Sequence, residues 1–194
     1  MNPILITGVG QRVGAQAFDD TVRLWQTTDG SLVTQFAGDE TAVAGCSIFR
    51  NRVAFVPGHD MLAATSHDFT VTLHSTVDGA VQTLVGHTQP VLDLAVAADG
   101  SMLASAAQDG TIRLWRLPDG VLQRVLASPT FGLAATAVSH DGHFVAGGTA
   151  RGELFLWEAA GGHLLRPLAG DMNNDSTLAF SPDGSLLAAG SGSA

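Results

Sequence analysis

The chain contains no tyrosine and no lysine; all nine of its basic residues are arginine. Without a phenol or a primary amine on a side chain, Schiff-base chemistry and a P-loop lysine are both excluded. A single cysteine, Cys46, rules out an intramolecular disulfide and fits a reducing compartment, so a cytoplasmic location is expected. Positive charge is scarce, nine basic against eighteen acidic residues, giving a net charge of −9. That is the wrong sign for gripping phosphates, and nucleic acid is not an expected partner. No apolar run approaches the roughly 20 residues of a membrane-spanning helix, so no membrane association is expected. The opening Met1-Asn2-Pro3-Ile4-Leu5-Ile6-Thr7-Gly8 lacks the basic and long apolar regions of a signal peptide. No Gly-x-Ser-x-Gly elbow or paired-carboxylate motif is present, and no catalytic residue is assigned.

What the chain does have is glycine and short apolar segments. Across 194 residues there are 23 glycines, 45% hydrophobic residues and only 14% charged ones. This pattern predicts a turn-rich, β-dominated chain of about one domain.

A repeat organises those segments. Asp19-Asp20-Thr21-Val22-Arg23-Leu24-Trp25, Asp68-Phe69-Thr70-Val71-Thr72-Leu73-His74, Asp109-Gly110-Thr111-Ile112-Arg113-Leu114-Trp115 and Arg151-Gly152-Glu153-Leu154-Phe155-Leu156-Trp157 align, with their last positions 49, 41 and 42 residues apart. A second series, Asp29-Gly30, Asp78-Gly79, Asp119-Gly120 and Gly161-Gly162, keeps the same intervals of 49, 41 and 42. A third, Asp99-Gly100, Asp141-Gly142 and Asp183-Gly184, steps by 42 twice. Each marker dipeptide of the last two series lies between short β-rich segments, as in a hairpin whose turn needs positive φ. Each period therefore holds four short strands, and no stretch is long and periodic enough for a helix. The longer first interval reads as a surface-loop insertion of about eight residues within 40–52.

A repeat of roughly 40–45 residues with a Gly-His before its first strand and a Trp ending its third resembles the WD40 family. The best-matching unit carries Gly86-His87, Ser105, Asp109 and Trp115. The resemblance implies that His87, Ser105, Asp109 and Trp115 form a hydrogen-bonded structural tetrad inside one blade of a β-propeller. The other units depart from the pattern. His74 replaces the Trp of the second and Gly38-Asp39 its Gly-His; Arg151 replaces the Asp of the fourth and Ala127-Ser128 its Gly-His.

Seventeen strands are predicted, at about 4–8, 21–26, 31–36, 53–57, 61–65, 69–74, 80–85, 91–96, 102–107, 111–116, 121–126, 134–138, 143–148, 153–158, 163–168, 176–180 and 185–189. That makes an all-β, WD40-type propeller of about four blades plus an extra strand. The final Leu186-Leu187-Ala188-Ala189-Gly190 stops where another Trp-terminated strand is due, so an incomplete ring is expected, with unpaired edges that invite self-association. Closure with four blades, or completion by a dimer, are the alternatives.

The N-terminus carries a second resemblance. Pro3-Ile4-Leu5-Ile6-Thr7-Gly8-Val9-Gly10-Gln11-Arg12-Val13-Gly14 is similar to the Thr-Gly-x-x-x-Arg-x-Gly opening of short-chain dehydrogenases of the pteridine reductase type. That similarity implies that Thr7, Gly8, Arg12 and Gly14 cradle an NADP pyrophosphate and 2′-phosphate at a helix N-terminus. The catalytic Tyr-x-x-x-Lys of that family is absent, and no strand–helix alternation follows. Residues 1–17 thus read either as a fusion remnant or as a blade strand, with 9–17 an inserted loop, ahead of repeats over 18–194.

The remaining clusters read as turns. His140-Asp141-Gly142-His143 occupies the recurrent hairpin turn, His59, Asp60, His67 and Asp68 flank one hairpin, and Asp171-Met172-Asn173-Asn174-Asp175 lacks the glycine and glutamate of a calcium loop. No metal and no cofactor are expected, and His74 is expected to be a core or half-buried residue and not a base. The function these readings favour is a non-catalytic scaffold for protein partners, the rivals being the NADP-dependent reductase and a structural repeat segment of a larger regulatory protein.

Overall fold

The computed structural model describes residues 5–9, 12–16, 22–36, 52–66, 68–130, 132–168 and 177–190, the first two stretches by backbone alone. They form eighteen strands and, among the described residues, no helix. The first sheet contains β1 (Leu5–Val9), β2 (Arg12–Gln16), β3 (Val22–Gln26) and β4 (Leu32–Phe36). The second contains β5 (Val53–Val56), β6 (Met61–Thr65), β7 (Val71–Ser75) and β8 (Val81–Leu84). The third contains β9 (Val91–Val96), β10 (Met102–Ala107), β11 (Thr111–Arg116) and β12 (Val121–Ala127). The fourth contains β13 (Leu133–Val138), β14 (Phe144–Thr149), β15 (Leu154–Glu158) and β16 (Leu164–Leu168), and β17 (Thr177–Phe180) with β18 (Leu187–Gly190) makes a two-stranded fifth. Each sheet is an antiparallel meander in chain order.

Strand β2 corrects the N-terminal expectations. Thr7 lies opposite Gly14 and Gly8 opposite Val13, while on the other side Gly14 lies opposite Leu24 of β3. Pairing on both edges satisfies the backbone donors and acceptors of 12–16. The segment is therefore neither an inserted loop nor the start of a helix. Thr7, Gly8, Arg12 and Gly14 all sit within strands, not in a phosphate-cradling turn. The first blade gains its fourth strand this way, so the leftover becomes a pair, β17 and β18. The insertion at 40–52 (Arg52 apart) and the 171–175 connection lie outside the described residues.

The sheets stack side by side in chain order. Strand β1 packs on β5, β5 on β9, β9 on β13 and β13 on β17, and among the described residues the extended strand contacts join successive sheets only. The core accordingly lies between sheets. Val22, Leu24 and Phe36 meet Val53 and Leu62 at the first junction. Leu73 and Leu84 meet Leu103 and Trp115 at the second. Ile112, Leu114 and Leu126 meet Leu133, Phe155 and Trp157 at the third, and Ala137 and Leu154 meet Leu178 at the fourth. A sheet covered on both faces cannot alternate cleanly, which is why β10 is buried at every position. The outer strands, covered far less, are mostly exposed, as β8, β12 and β16 are.

The marker dipeptides make the turns that the repeat predicts. Asp99 Oδ1 accepts hydrogen bonds from the backbone N–H and hydroxyl of Ser101, at 2.9 and 2.7 Å. Asp109 does the same for Thr111, at 2.9 and 2.7 Å. Gly100 beside that Asp is required twice over. Its φ is +71°, and a Cβ there would fall 1.9 Å from the Pro57 carbonyl oxygen of the preceding sheet.

Candidate functional site

The third sheet brings His87, Ser105, Asp109 and Trp115 together. His87 precedes β9, Ser105 lies mid-β10, Asp109 sits in the β10–β11 turn and Trp115 near the end of β11. His87 Nδ1 lies 2.9 Å from Asp109 Oδ2, and His87 Nε2 lies 2.8 Å from Ser105 Oγ. The Trp115 indole N–H donates to the same Ser105 oxygen at 2.9 Å. Asp109 Oδ2 also accepts the Thr88 N–H at 3.1 Å.

Protonation follows from the bonding. Burial alone would raise the Asp109 carboxyl, but hydrogen bonds from Thr111, His87 and Thr88 outweigh it and hold the group below its ordinary value. An ionised carboxylate only accepts, so the His87 proton resides on Nδ1. Nε2 then accepts the Ser105 hydroxyl, whose oxygen accepts the indole N–H. Burial is also the largest influence on His87 and pushes it below 6.5 in spite of Asp109, keeping the imidazole neutral at pH 7. Every polar side-chain atom of the tetrad has a partner.

The connectivity Ser105–His87–Asp109 is that of a hydrolytic triad. Access decides against such a use. Ser105 is 0% exposed, its hydroxyl is already donated to His87 and the Trp115 indole N–H occupies its oxygen. No acyl group reaches that oxygen without unfolding the blade.

The degenerate blades solve the same positions differently. In the second, Ala64 stands where Ser105 does, and His74 replaces the Trp. His74 is 3% exposed, its Nε2 lies 2.8 Å from Thr72 Oγ1, and its ring packs on Phe36 with centroids 4.6 Å apart. Its Nδ1 is buried without a partner among the described residues, and burial pushes the imidazole down from 6.5 to about 4. In the fourth, Gly147 takes the serine position, and a Cβ there would fall 2.9 Å from the Trp157 ring and 2.8 Å from Ile112. The indole thus occupies the space a serine side chain would fill. Glu153 accepts the hydroxyls of Thr130 at 2.6 Å and Thr149 at 3.3 Å in place of an aspartate network.

The other candidates separate. At 139–143, Asp141 accepts the Ser139 hydroxyl and the His143 N–H, a turn in which its carboxyl is held down to about 2 by Ser139 first. His59 and Asp60 occupy the β5–β6 turn and Asp68 caps Thr70, while His67 lies outside the described residues. Among the described residues no group of three or more His, Cys, Asp or Glu is arranged to hold a metal ion.

Two features were not picked out from the sequence. Asp93 of β9 accepts the Thr136 N–H of β13 at 2.9 Å and meets Arg52 Nε, just before β5, at 3.3 Å, tying three successive sheets. A carboxylate inside the apolar Val91-Leu92-Asp93-Leu94 was the available signal. The other is a groove of about 510 Å³ between the third and fourth sheets, lined by residues that include Met102, Arg116, Leu122, Arg124 and Ala159.

Comparison with known proteins agrees with the repeat. Residues 79–116 and 171–193 match the WD40 family, described as "WD domain, G-beta repeat", and the first stretch contains the whole tetrad. Coronin-7 of Mus musculus is 31% identical over 106 residues, 54% of this chain and 12% of that protein. Apoptotic protease-activating factor 1 of Rattus norvegicus is 29% identical over 117 residues, 60% of this chain and 9% of that protein. Target of rapamycin complex subunit wat1 of Schizosaccharomyces pombe is 27% identical over 114 residues, 57% of this chain and 33% of that protein. The chain thus matches a third or less of the length of each of these relatives.

Proposed function

We propose, proceeding from a chain built of WD40 repeats, that it acts as a non-catalytic scaffold whose turns and outer strands engage protein partners. The observation that carries this is the sealed tetrad. Among the described residues, the constellation with the wiring of a catalytic triad commits its hydroxyl and its imidazole to internal bonds. The exposed apolar side chains, by contrast, recur on the outer strands: Val33 on β4, Val81 on β8, Val121 and Val125 on β12, and Leu165 on β16. Rigid stacked sheets with apolar outer strands offer partners a preordered surface, which lowers the ordering cost of binding. The wat1 relative is, by its name, a subunit of a complex, in keeping with that reading.

Two measurements test it. A fluorophosphonate probe should leave Ser105 unlabelled in the folded chain; stoichiometric labelling overturns the non-catalytic reading. The chain has no lysine, so cross-linking has to go through carboxylates. A dihydrazide cross-linker, applied with a carboxyl-activating coupling reagent to the natively isolated chain, should join its turns and outer strands to a partner in fixed stoichiometry. A chain recovered free of any stoichiometric partner overturns the scaffold reading.

A further inference from the structure

The groove between the third and fourth sheets differs from its counterpart one blade earlier. At the earlier junction, Gln82 of β8 donates its side-chain N–H to the Asp119 carbonyl of the next sheet's turn at 2.8 Å. The following Gly120 is so close that a Cβ would fall 2.5 Å from Leu84. That junction is latched shut. The residue in Gln82's place on β12 is Arg124: Gln82 lies opposite Leu73, and Arg124 opposite Leu114, the equivalent positions of β7 and β11. The turn it faces is Gly161-Gly162, and a Cβ on Gly162 would touch only the Arg124 aliphatic stem, at 3.4 Å, and Leu126.

Arg124 makes no latch. It is exposed, and among the described residues its guanidinium has neither a hydrogen bond nor an ion pair. Arg116, also lining the groove, is already forked onto Asp119, with Nε 3.1 and 3.0 Å from the two carboxylate oxygens. The floor is apolar, with Met102 8% and Ala159 7% exposed, and the rim carries Leu122 at 39% and Val121 at 47%. Strand β12 is the edge of its sheet, paired only with β11 among the described strands. What sets Arg124 apart is its place, a cation without a partner among the described residues beside an apolar cleft and a free strand edge. It is complementary to one chemistry, an apolar side chain with a carboxylate close by.

We propose that this groove binds an extended segment of a partner protein in which a large apolar side chain is followed, within about two residues, by Asp or Glu. The apolar side chain enters between Met102, Leu122 and Ala159; the carboxylate pairs with Arg124; the backbone runs along the free edge of β12. A volume of about 510 Å³ lies within the roughly 300–1,000 Å³ of small-ligand pockets, enough for one large side chain and its neighbours. The inference rests on the scaffold reading and gives it an address.

The test is a displayed library of random twelve-residue peptides, about that length sufficing to span β12, panned against the full chain. The selected peptides are then measured against Arg124→Glu, Leu122→Asp and, as a control at the latched junction, Gln82→Ala. Arg124 and Leu122 are both exposed, and melting curves confirm that the variants stay folded. Selected peptides should carry the apolar–acidic pair, lose about tenfold or more in affinity for Arg124→Glu, and keep it for Gln82→Ala. Replacing the peptide acid with Arg should restore binding to Arg124→Glu. Basic selected sequences, affinities unchanged in both groove variants, or no selection at all each overturn the groove. They leave the scaffold reading standing, because that reading fails only by the partner and labelling measurements given with it.

Discussion

Acid should unfold this chain earlier than its carboxylates alone would, and His74 is the reason. Its ring is buried against Phe36, with Nδ1 facing no partner among the described residues, and its affinity for a proton falls from 6.5 to about 4. In the unfolded chain the same imidazole takes up a proton at its ordinary value. The folded state resists protonation while the unfolded state accepts it, so stability is complete above pH 6.5 and declines as pH falls from 6.5 toward 4. Below about 4 the group contributes no further change. At about 1.4 kcal/mol per pH unit the full effect is about 3 kcal/mol, of which about 2 is gone by pH 5. Replacing His74 with Phe keeps the packing on Phe36 and removes the titration.

Urea unfolding of the wild type and His74→Phe, each from pH 4 to 8, isolates the effect. His87, whose folded-state proton affinity is also lowered by burial, is common to both chains and cancels in the difference. The variant should gain about 2 kcal/mol on the wild type between pH 7 and pH 5. A difference that stays within about 0.5 kcal/mol over that interval refutes the assignment, and means that the His74 ring reaches water or a partner when charged.

Ser105→Ala should cost about 2–4 kcal/mol in denaturant, since it orphans both the His87 Nε2 and the Trp115 N–H in a buried site. A loss under about 1 kcal/mol contradicts the bonding described. Gly100→Ala should destabilise by about 3 kcal/mol or more, because its Cβ would fall 1.9 Å from the Pro57 carbonyl; Gly142→Ala, at the same φ of +71° with nothing within 4 Å, should lose only about 1–2. Equal melting temperatures for the two contradict the close approach at Gly100. Gly147→Ser, which inserts into the fourth blade the serine that the third has at 105, should destabilise by about 1–3 kcal/mol, as the added atoms meet Trp157, Ile112 and Leu133. A stabilised variant in thermal melts contradicts that packing.

The tetrad was legible through the resemblance of residues 86–115 to a WD40 repeat, which named the four positions; spacing alone did not single them out, since aspartate and serine recur along the whole chain. That His74 is core or half-buried was readable from the Trp position it fills, and the structure places it in the core. Strand β2 was not legible: Arg12-Val13-Gly14-Ala15-Gln16 carries a single large apolar residue, and its glycine spacing mimics a phosphate-binding turn. Its identity comes from β1 and β3 on either side, which is tertiary information. The Asp93 tie and the Arg124 groove are also products of neighbouring sheets. Nothing local to Arg124 distinguishes it from a solvated arginine until Gly161-Gly162 arrives from the next repeat.

Why one full tetrad suffices follows from where the apolar surface goes. Trp115 and Trp157 are 3% and 1% exposed, although only the first donates its N–H to a serine. Burying a large apolar side chain contributes about 1.5–3 kcal/mol, whereas a hydrogen bond nets about 0.5–1.5 after the loss of water. Packing therefore holds both indoles in place, and the polar chain adds mainly to the cost of any other register. Each cluster of that packing spans two sheets, so a blade draws its stability from its neighbours more than from its own motif. A repeat can then lose its Ser, His or Asp and persist, provided the replacement keeps the junction filled. Gly147 does so by yielding space to an indole, and His74 by packing on Phe36 while leaving one nitrogen unsatisfied. The same logic leaves the outer strands unconstrained by the core, and there a free arginine beside an apolar groove can be kept without weakening the fold.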